Sequence, residues 1–219
     1  TTIGKYSFAN CYNLGTKSLD NVCAITFNNA IIGERMFDGD TGLRYVLIPA
    51  NITDVNDYAF ANCTNITDIT FQNAYVGKYM FYNNEGLTEL VVEDCVQTID
   101  IGAFEECENL AKLTLPFVGR TRHNTRSKEA LFGYIFGEER EEELYDTTEQ
   151  FYYYSDDLYY EDTLPSEESL SVEYKIPQSL RKVTVTDETV IGYGAFSNVD
   201  QIESITLSDT LLTIDNYAF

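Results

Sequence analysis

The chain has 219 residues, is 44% hydrophobic, and carries 36 acidic against 14 basic residues, a formal net charge of −22. Such a core fraction excludes a globally disordered chain, and the charge argues against nucleic acid and anionic lipid, both of which are held by clustered lysine and arginine. No apolar run approaches the roughly 20 residues that span a bilayer, and one histidine with five cysteines in no CxxC spacing leaves no histidine-based metal cage, zinc cluster or ordinary catalytic triad.

Taken in chain order, one segment recurs. It begins as Ile3-Gly-Lys-Tyr-Ser-Phe8-Ala-Asn-Cys11 and returns around Phe37, Phe60, Phe81, Phe104, Phe196 and Phe219. Five residues before each Phe lie Ile3, Ile32, Val55, Val76, Ile99, Ile191 and Ile214, all β-branched and apolar. Six residues after, where the chain continues, come Leu14, Leu43, Ile66, Leu87, Leu110 and Ile202. Nine and eleven residues after come pairs such as Val46 and Ile48, Ile69 and Phe71, Leu90 and Val92, Leu113 and Leu115, Ile205 and Leu207. Successive Phe residues stand 23, 21 and 23 apart from Phe37 to Phe104, and 23 apart again from Phe196 to Phe219. The first interval is longer, with extra residues in Gly15 to Asn21.

Repeats of this length with a Leu-x-x-Leu-x-Leu core, here Leu110-x-x-Leu113-x-Leu115, are leucine-rich repeats. The period-two pair predicts one short strand per coil, with both side chains on one side. Stacked coils then form a parallel β-sheet on one face of a right-handed solenoid, with short or irregular elements on the other. No coil can bury its own apolar face, so its neighbours must do it. The expectation is a single solenoid over 1–219. Both ends fall inside a repeat, which predicts a fragment whose signal, caps and anchor lie outside it.

Between Leu115 and Leu180 the frame loosens. Leu131 and Phe136 keep the offset of five, so one coil is expected to survive, and Leu180, Val183 and Val185 resume the strand core. Between them lies an insertion at 138–169 with thirteen acidic residues and one basic. It includes Tyr153, Tyr154 and Tyr159, and a short helix is expected over Glu138 to Tyr145. Two readings stay open: a solvated excursion, or a binding loop whose aromatics supply contact area and whose acids select a basic partner.

Ile3 to Cys11, Val55-Asn-Asp-Tyr-Ala-Phe60-Ala-Asn-Cys63 and Ile191-Gly-Tyr-Gly-Ala-Phe196 resemble the BspA-like, treponemal-type leucine-rich repeat of bacterial surface proteins. Asp40, Asn84 and Val199 replace the Cys of that pattern, and Met36 and Met80 replace the Ala before Phe. The resemblance implies an extracellular, cell-surface or secreted protein that binds host or neighbouring-cell protein or glycan. It implies no catalytic residues and no cofactor.

Cys11, Cys63 and Cys107 share one offset, which predicts small, buried, free thiols rather than disulfides. Acid pairs such as Asp156 and Asp157 lack the spacing of a calcium loop. The outward residues of the stacked strands are the default recognition surface: Tyr45, Leu47, Thr70, Val91, Thr114 and Thr184. The Thr column has a plain explanation in β-propensity on an exposed strand; Tyr45, Leu47 and Val91 are the residues least explained by solvation. The competing reading is a structural spacer that presents another domain.

Overall fold

A computed structural model describes residues 4–14, 31–139, 146–153 and 169–219. The strands in chain order are β1 (Ile31–Ile32), β2 (Tyr45–Ile48), β3 (Asp54–Val55), β4 (Asp68–Phe71), β5 (Tyr75–Val76), β6 (Glu89–Val91) and β7 (Thr98–Ile99). There follow β8 (Lys112–Leu115), β9 (Thr148–Tyr153), β10 (Ser169–Tyr174), β11 (Lys182–Val185), β12 (Val190–Ile191), β13 (Ser204–Thr206) and β14 (Thr213–Ile214). They form the stacked coils of a leucine-rich-repeat solenoid. One wall is built from the longer strands, with β2 parallel to β4 and the order β6, β8, β11, β13 continuing beyond. The opposite wall carries two-residue parallel pairs, β1 with β3, β5 with β7 and β12 with β14. These pairs hold the β-branched residues five before each Phe, such as Ile32 beside Val55 and Val76 beside Ile99.

The interior follows from the fixed offsets. Val46, Ile48, Leu113 and Leu115 point inward and are at most 1% exposed. Between the walls the Phe rings stack in a column: Phe8 on Phe37 at 5.5 Å, Phe37 on Phe60 at 5.0 Å, Phe60 on Phe81 at 5.5 Å and Phe81 on Phe104 at 6.0 Å, all within 11° of parallel. One backbone bond per coil sets that register, from the Phe N–H to the carbonyl before the next Phe: Phe37 to Ala59, Phe60 to Met80, Phe81 to Ala103. The corner that aims each ring inward needs two left-handed residues, two before and two after the Phe. Tyr58 (φ 58°) and Asn62 (φ 56°) flank Phe60; Tyr79 (φ 50°) and Asn83 (φ 53°) flank Phe81. Asn tolerates that region well, Tyr poorly. The Tyr residues recover part of the cost by stacking, with Arg35 4.1 Å over Tyr58 and Tyr58 4.8 Å from Tyr79.

The stretch from Pro116 to Val185 is one coil with an excursion, because β11 pairs directly with β8. A 3₁₀ turn, Phe132–Phe136, keeps the column going from both of its ends. The Phe104 N–H bonds to the carbonyl of Ile135, just before Phe136, while the Phe132 N–H bonds to that of Ala195 and its ring lies 4.9 Å from Phe196. The column then closes with Phe196 on Phe219 at 5.5 Å. The excursion itself returns as an antiparallel hairpin, β9 with β10, whose second arm runs on to Tyr174. The helix expected over Glu138 to Tyr145 does not begin there: Glu138 bridges to Tyr174 and the Glu139 N–H bonds to the Glu173 carbonyl, an extended pairing. Residues 140–145 lie outside the described residues, as do Tyr154, Tyr159 and Cys23.

Candidate functional site

The long-strand wall turns alternate side chains outward. Leu47 stands beside Thr70 on β2 and β4, and Val91, Thr114, Thr184 and Thr206 follow in register across β6, β8, β11 and β13. Tyr45 precedes Leu47 and donates its hydroxyl to the Thr70 Oγ1 at 3.1 Å, fixing the ring along the face. Val91 is 53% exposed, a large fraction for an apolar residue, while Thr114 and Thr184 further along the row are half-buried. One step earlier, Lys112 lies between Glu89, which it bonds, and Lys182. Tyr153 is separate from this face; it ends β9, opposite Ser169.

The wall has a seam. Backbone pairing stops between β4 and β6, where the link from Phe71 to Tyr75 is two residues shorter than that from Ile48 to Asp54. Side chains of the following coil occupy the break: the Glu93 carboxylate accepts the Phe71 N–H at 3.0 Å, and the Cys95 thiol donates to the Phe71 carbonyl at 3.3 Å. The outward column therefore comes in two parts, Tyr45 to Thr70 and Val91 to Thr206.

The second cluster is where the hairpin meets the coils. Gln150, fully buried in β9, donates to the carbonyls of Ala195 and Ser197 at 3.1 and 3.2 Å and accepts the Gly133 N–H at 2.7 Å. Tyr174 of β10 is also fully buried and donates its hydroxyl to the Lys128 carbonyl at 2.8 Å. Next to it the Lys175 ammonium sits among Glu105 at 3.7 Å, Glu106 at 3.9 Å and Glu139 at 3.9 Å. Burial, with Glu106 and Glu139 nearby, pushes the Glu105 carboxyl up to about 7 despite the Lys175 charge.

The sequence also held a cationic signal that its overall charge obscured. Arg120, Arg122, Arg126 and Lys128 fall within nine residues of a strongly acidic chain. Three of them brace the junction coil: Arg120 with Glu129 at 3.1 Å, Arg122 with Asp187 at 3.1 Å and Lys128 with Glu138 at 2.8 Å. Arg126 is exposed.

The cysteines are corrected at one position. Cys63 and Cys107 are buried free thiols, raised to about 12 by burial. Cys11 is exposed: it lies in the outermost described coil, where Phe8 too is 39% exposed. The shared offset also has a polar role. Cys63 Sγ donates to the Phe37 carbonyl at 3.1 Å, Asn84 Nδ2 to that of Phe60 at 2.9 Å, and Cys107 Sγ to that of Phe81 at 3.3 Å. Asn84 among the Cys residues was the available hint that the position can use a donor, although Val199 fills it without one. Among the described residues no group of three or more His, Cys, Asp or Glu is placed to hold a metal, and no helix is long and apolar enough to cross a membrane.

This architecture is that of a repeat protein, a protein-interaction or structural module. The chain belongs to the family described as the BspA-type leucine-rich repeat region, which matches six copies over residues 1–124 and 174–219 and leaves the hairpin unmatched. A leucine-rich repeat protein from Bacteroides ovatus shares the fold, with a TM-score of 0.54 at 16% identity over 98% of this chain and 42% of that one. Another from Eubacterium ventriosum aligns at a TM-score of 0.31 and 16% identity over 86% of this chain and 48% of its own. The chain thus spans less than half of either structure. No curated protein matches it significantly.

Proposed function

We propose that the chain is a non-catalytic binding module of a bacterial cell surface, recognising a host or neighbouring-cell protein or glycan through the outward face of its parallel sheet. The observation that carries this reading is the exposure of Val91, across the seam from the outward-facing Leu47 and Tyr45, on a wall that is otherwise Thr, Ser and charge. Solvation alone gives no reason for these side chains; contact with a partner does. Membership of a family of surface-associated bacterial repeats supports the location.

The test is retention of a partner from matrix or host-cell extracts, or on a glycan array, by the wild type and by a Tyr45→Ala, Leu47→Ser, Val91→Ser variant. The wild type should capture a component that the variant loses by tenfold or more, with unchanged circular dichroism. Capture unaffected by the variant removes the face from the reading. No capture by the wild type favours a spacer that holds another domain away from its anchor.

A further inference from the structure

A cleft of about 400 Å³ opens where the hairpin returns to the coils, lined by Glu106, Glu108, Asp146, Lys175, Ile176 and Pro177. Its walls differ in kind. Ile176 and Pro177 are buried and form an apolar side; Glu108 and Asp146 are exposed at the rim, and Glu106 is half-buried between. The Lys175 ammonium faces Glu105, Glu106 and Glu139, so its charge is more than offset and the cleft stays negative. Glu106 is also a departure from the repeat. It holds the left-handed position two after Phe104, at φ 60°, where other coils place Gly39, Asn62, Asn83 or Asn198. Among the described residues with positive φ, the one long acid two after a Phe is the one that lines the cleft.

We propose that this cleft is a second binding site, taking the aliphatic stem and charged head of a lysine or arginine side chain from a basic protein partner. The methylenes pack on Ile176 and Pro177 and the cation meets Glu106, Glu108 and Asp146, a division that suits amphipathic cationic side chains. The size fits one side chain and its backbone, and a chain of net charge −22 steers basic partners toward it. The proposal rests on the reading of the chain as a binding module and adds the chemistry of a partner.

Fluorescence anisotropy with labelled hexalysine, at physiological ionic strength, tests it. A Glu106→Gln, Glu108→Gln, Asp146→Asn variant should bind at least about tenfold more weakly than wild type. A control with the same charge change at exposed positions away from the cleft, Asp54→Asn, Asp57→Asn and Asp209→Asn, should stay within about twofold. The fully acetylated peptide should not bind. Equal weakening by both variants reduces the effect to overall charge and overturns the site, as does absence of binding to wild type. The sheet-face variant decides the broader reading separately. Extract capture that the sheet-face variant leaves unchanged, with the cleft effect on hexalysine intact, sinks the sheet-face reading alone; loss of the cleft effect, with extract capture still lost in the sheet-face variant, sinks only the cleft.

Discussion

The coils from Ile31 to Leu115 and the coil from Pro116 to Val185 reach the same interior by opposite means. In the first region each contact is repeated: a Phe on a Phe, a β-branched residue on its counterpart, a backbone bond in the same register. In the second the register bonds persist, but the contacts that dock the hairpin occur once. Gln150, Tyr174, Gly133 and the Lys175 cluster have no equivalents in the other coils. Repetition spreads stability over nearest-neighbour interfaces. The junction concentrates it in a few buried polar groups, which makes it both more specific and easier to break.

The largest expected effect belongs to the repeated region. Phe81 is fully buried between Phe60 and Phe104, so Phe81→Ala should cost about 3–5 kcal/mol by urea denaturation, as large core truncations do. Phe8→Ala, at a half-exposed end of the same column, should cost about 1 kcal/mol or less. Equal losses at both positions would mean the rings are not a coupled stack.

The junction breaks differently. A Cβ on Gly133 would lie 2.3 Å from the Tyr174 ring, and that ring is pinned by its hydroxyl bond and full burial. Gly133→Ala should therefore cost about 1–3 kcal/mol and undock β9 and β10. In hydrogen exchange the amides of 148–153 and 169–174 should lose protection while those of 45–92 keep theirs. Uniform loss would show that the hairpin and the coils fold as one unit.

The same contrast explains what could be read in advance. Interior positions were legible because an error in one coil is outvoted by the others: Met36 and Met80 replace Ala without hiding the frame. The outward column followed from alternation alone, and its register is the expected one. Gln150 was not legible. It sits in an acidic, Tyr-rich run, and its burial depends on carbonyls more than forty residues away. Nor was the cleft, which needs Glu106 of one coil beside Asp146 and Ile176 of the excursion. Neither relation leaves a period in the sequence. The hairpin was missed because helix propensity in the Glu run said nothing of Gly137, whose φ of 87° turns the chain into extended pairing.

Titration sharpens the comparison further. Glu105, at the junction, ionises at about 7 when folded against an ordinary 4.5, chiefly because it is buried. A raised carboxyl binds protons more tightly in the folded state. Its contribution is complete below about pH 4.5 and is lost as pH rises toward 7. The loss should be on the order of 2 kcal/mol after allowance for solvent screening. Chemical denaturation from pH 4.5 to 7.5 should show that slope, and Glu105→Gln should flatten it. A slope unchanged in the variant would move its origin elsewhere.

Asp40 offers the matching probe in the repeated coils, with a smaller effect. It occupies the offset at which Cys63, Asn84 and Cys107 donate to the carbonyl of the preceding Phe. By the same period its partner would be the Phe8 carbonyl, but an ionised carboxylate has no proton to give. One oxygen instead accepts the Cys11 N–H, while Oδ2 is buried with no hydrogen-bond partner among the described residues. Burial accordingly raises Asp40 from 3.8 to about 6. Its stabilising protonated form is lost as pH climbs through that interval, before neutrality. Asp40→Asn supplies at every pH the amide donor that Asn84 already uses. It should stabilise the chain by about 1 kcal/mol at pH 7, with the gain shrinking toward pH 4 as the native carboxyl takes up its proton. A variant less stable than wild type at pH 7 would show that the position tolerates the carboxylate for the bond to Cys11, and that a donor is not its common requirement.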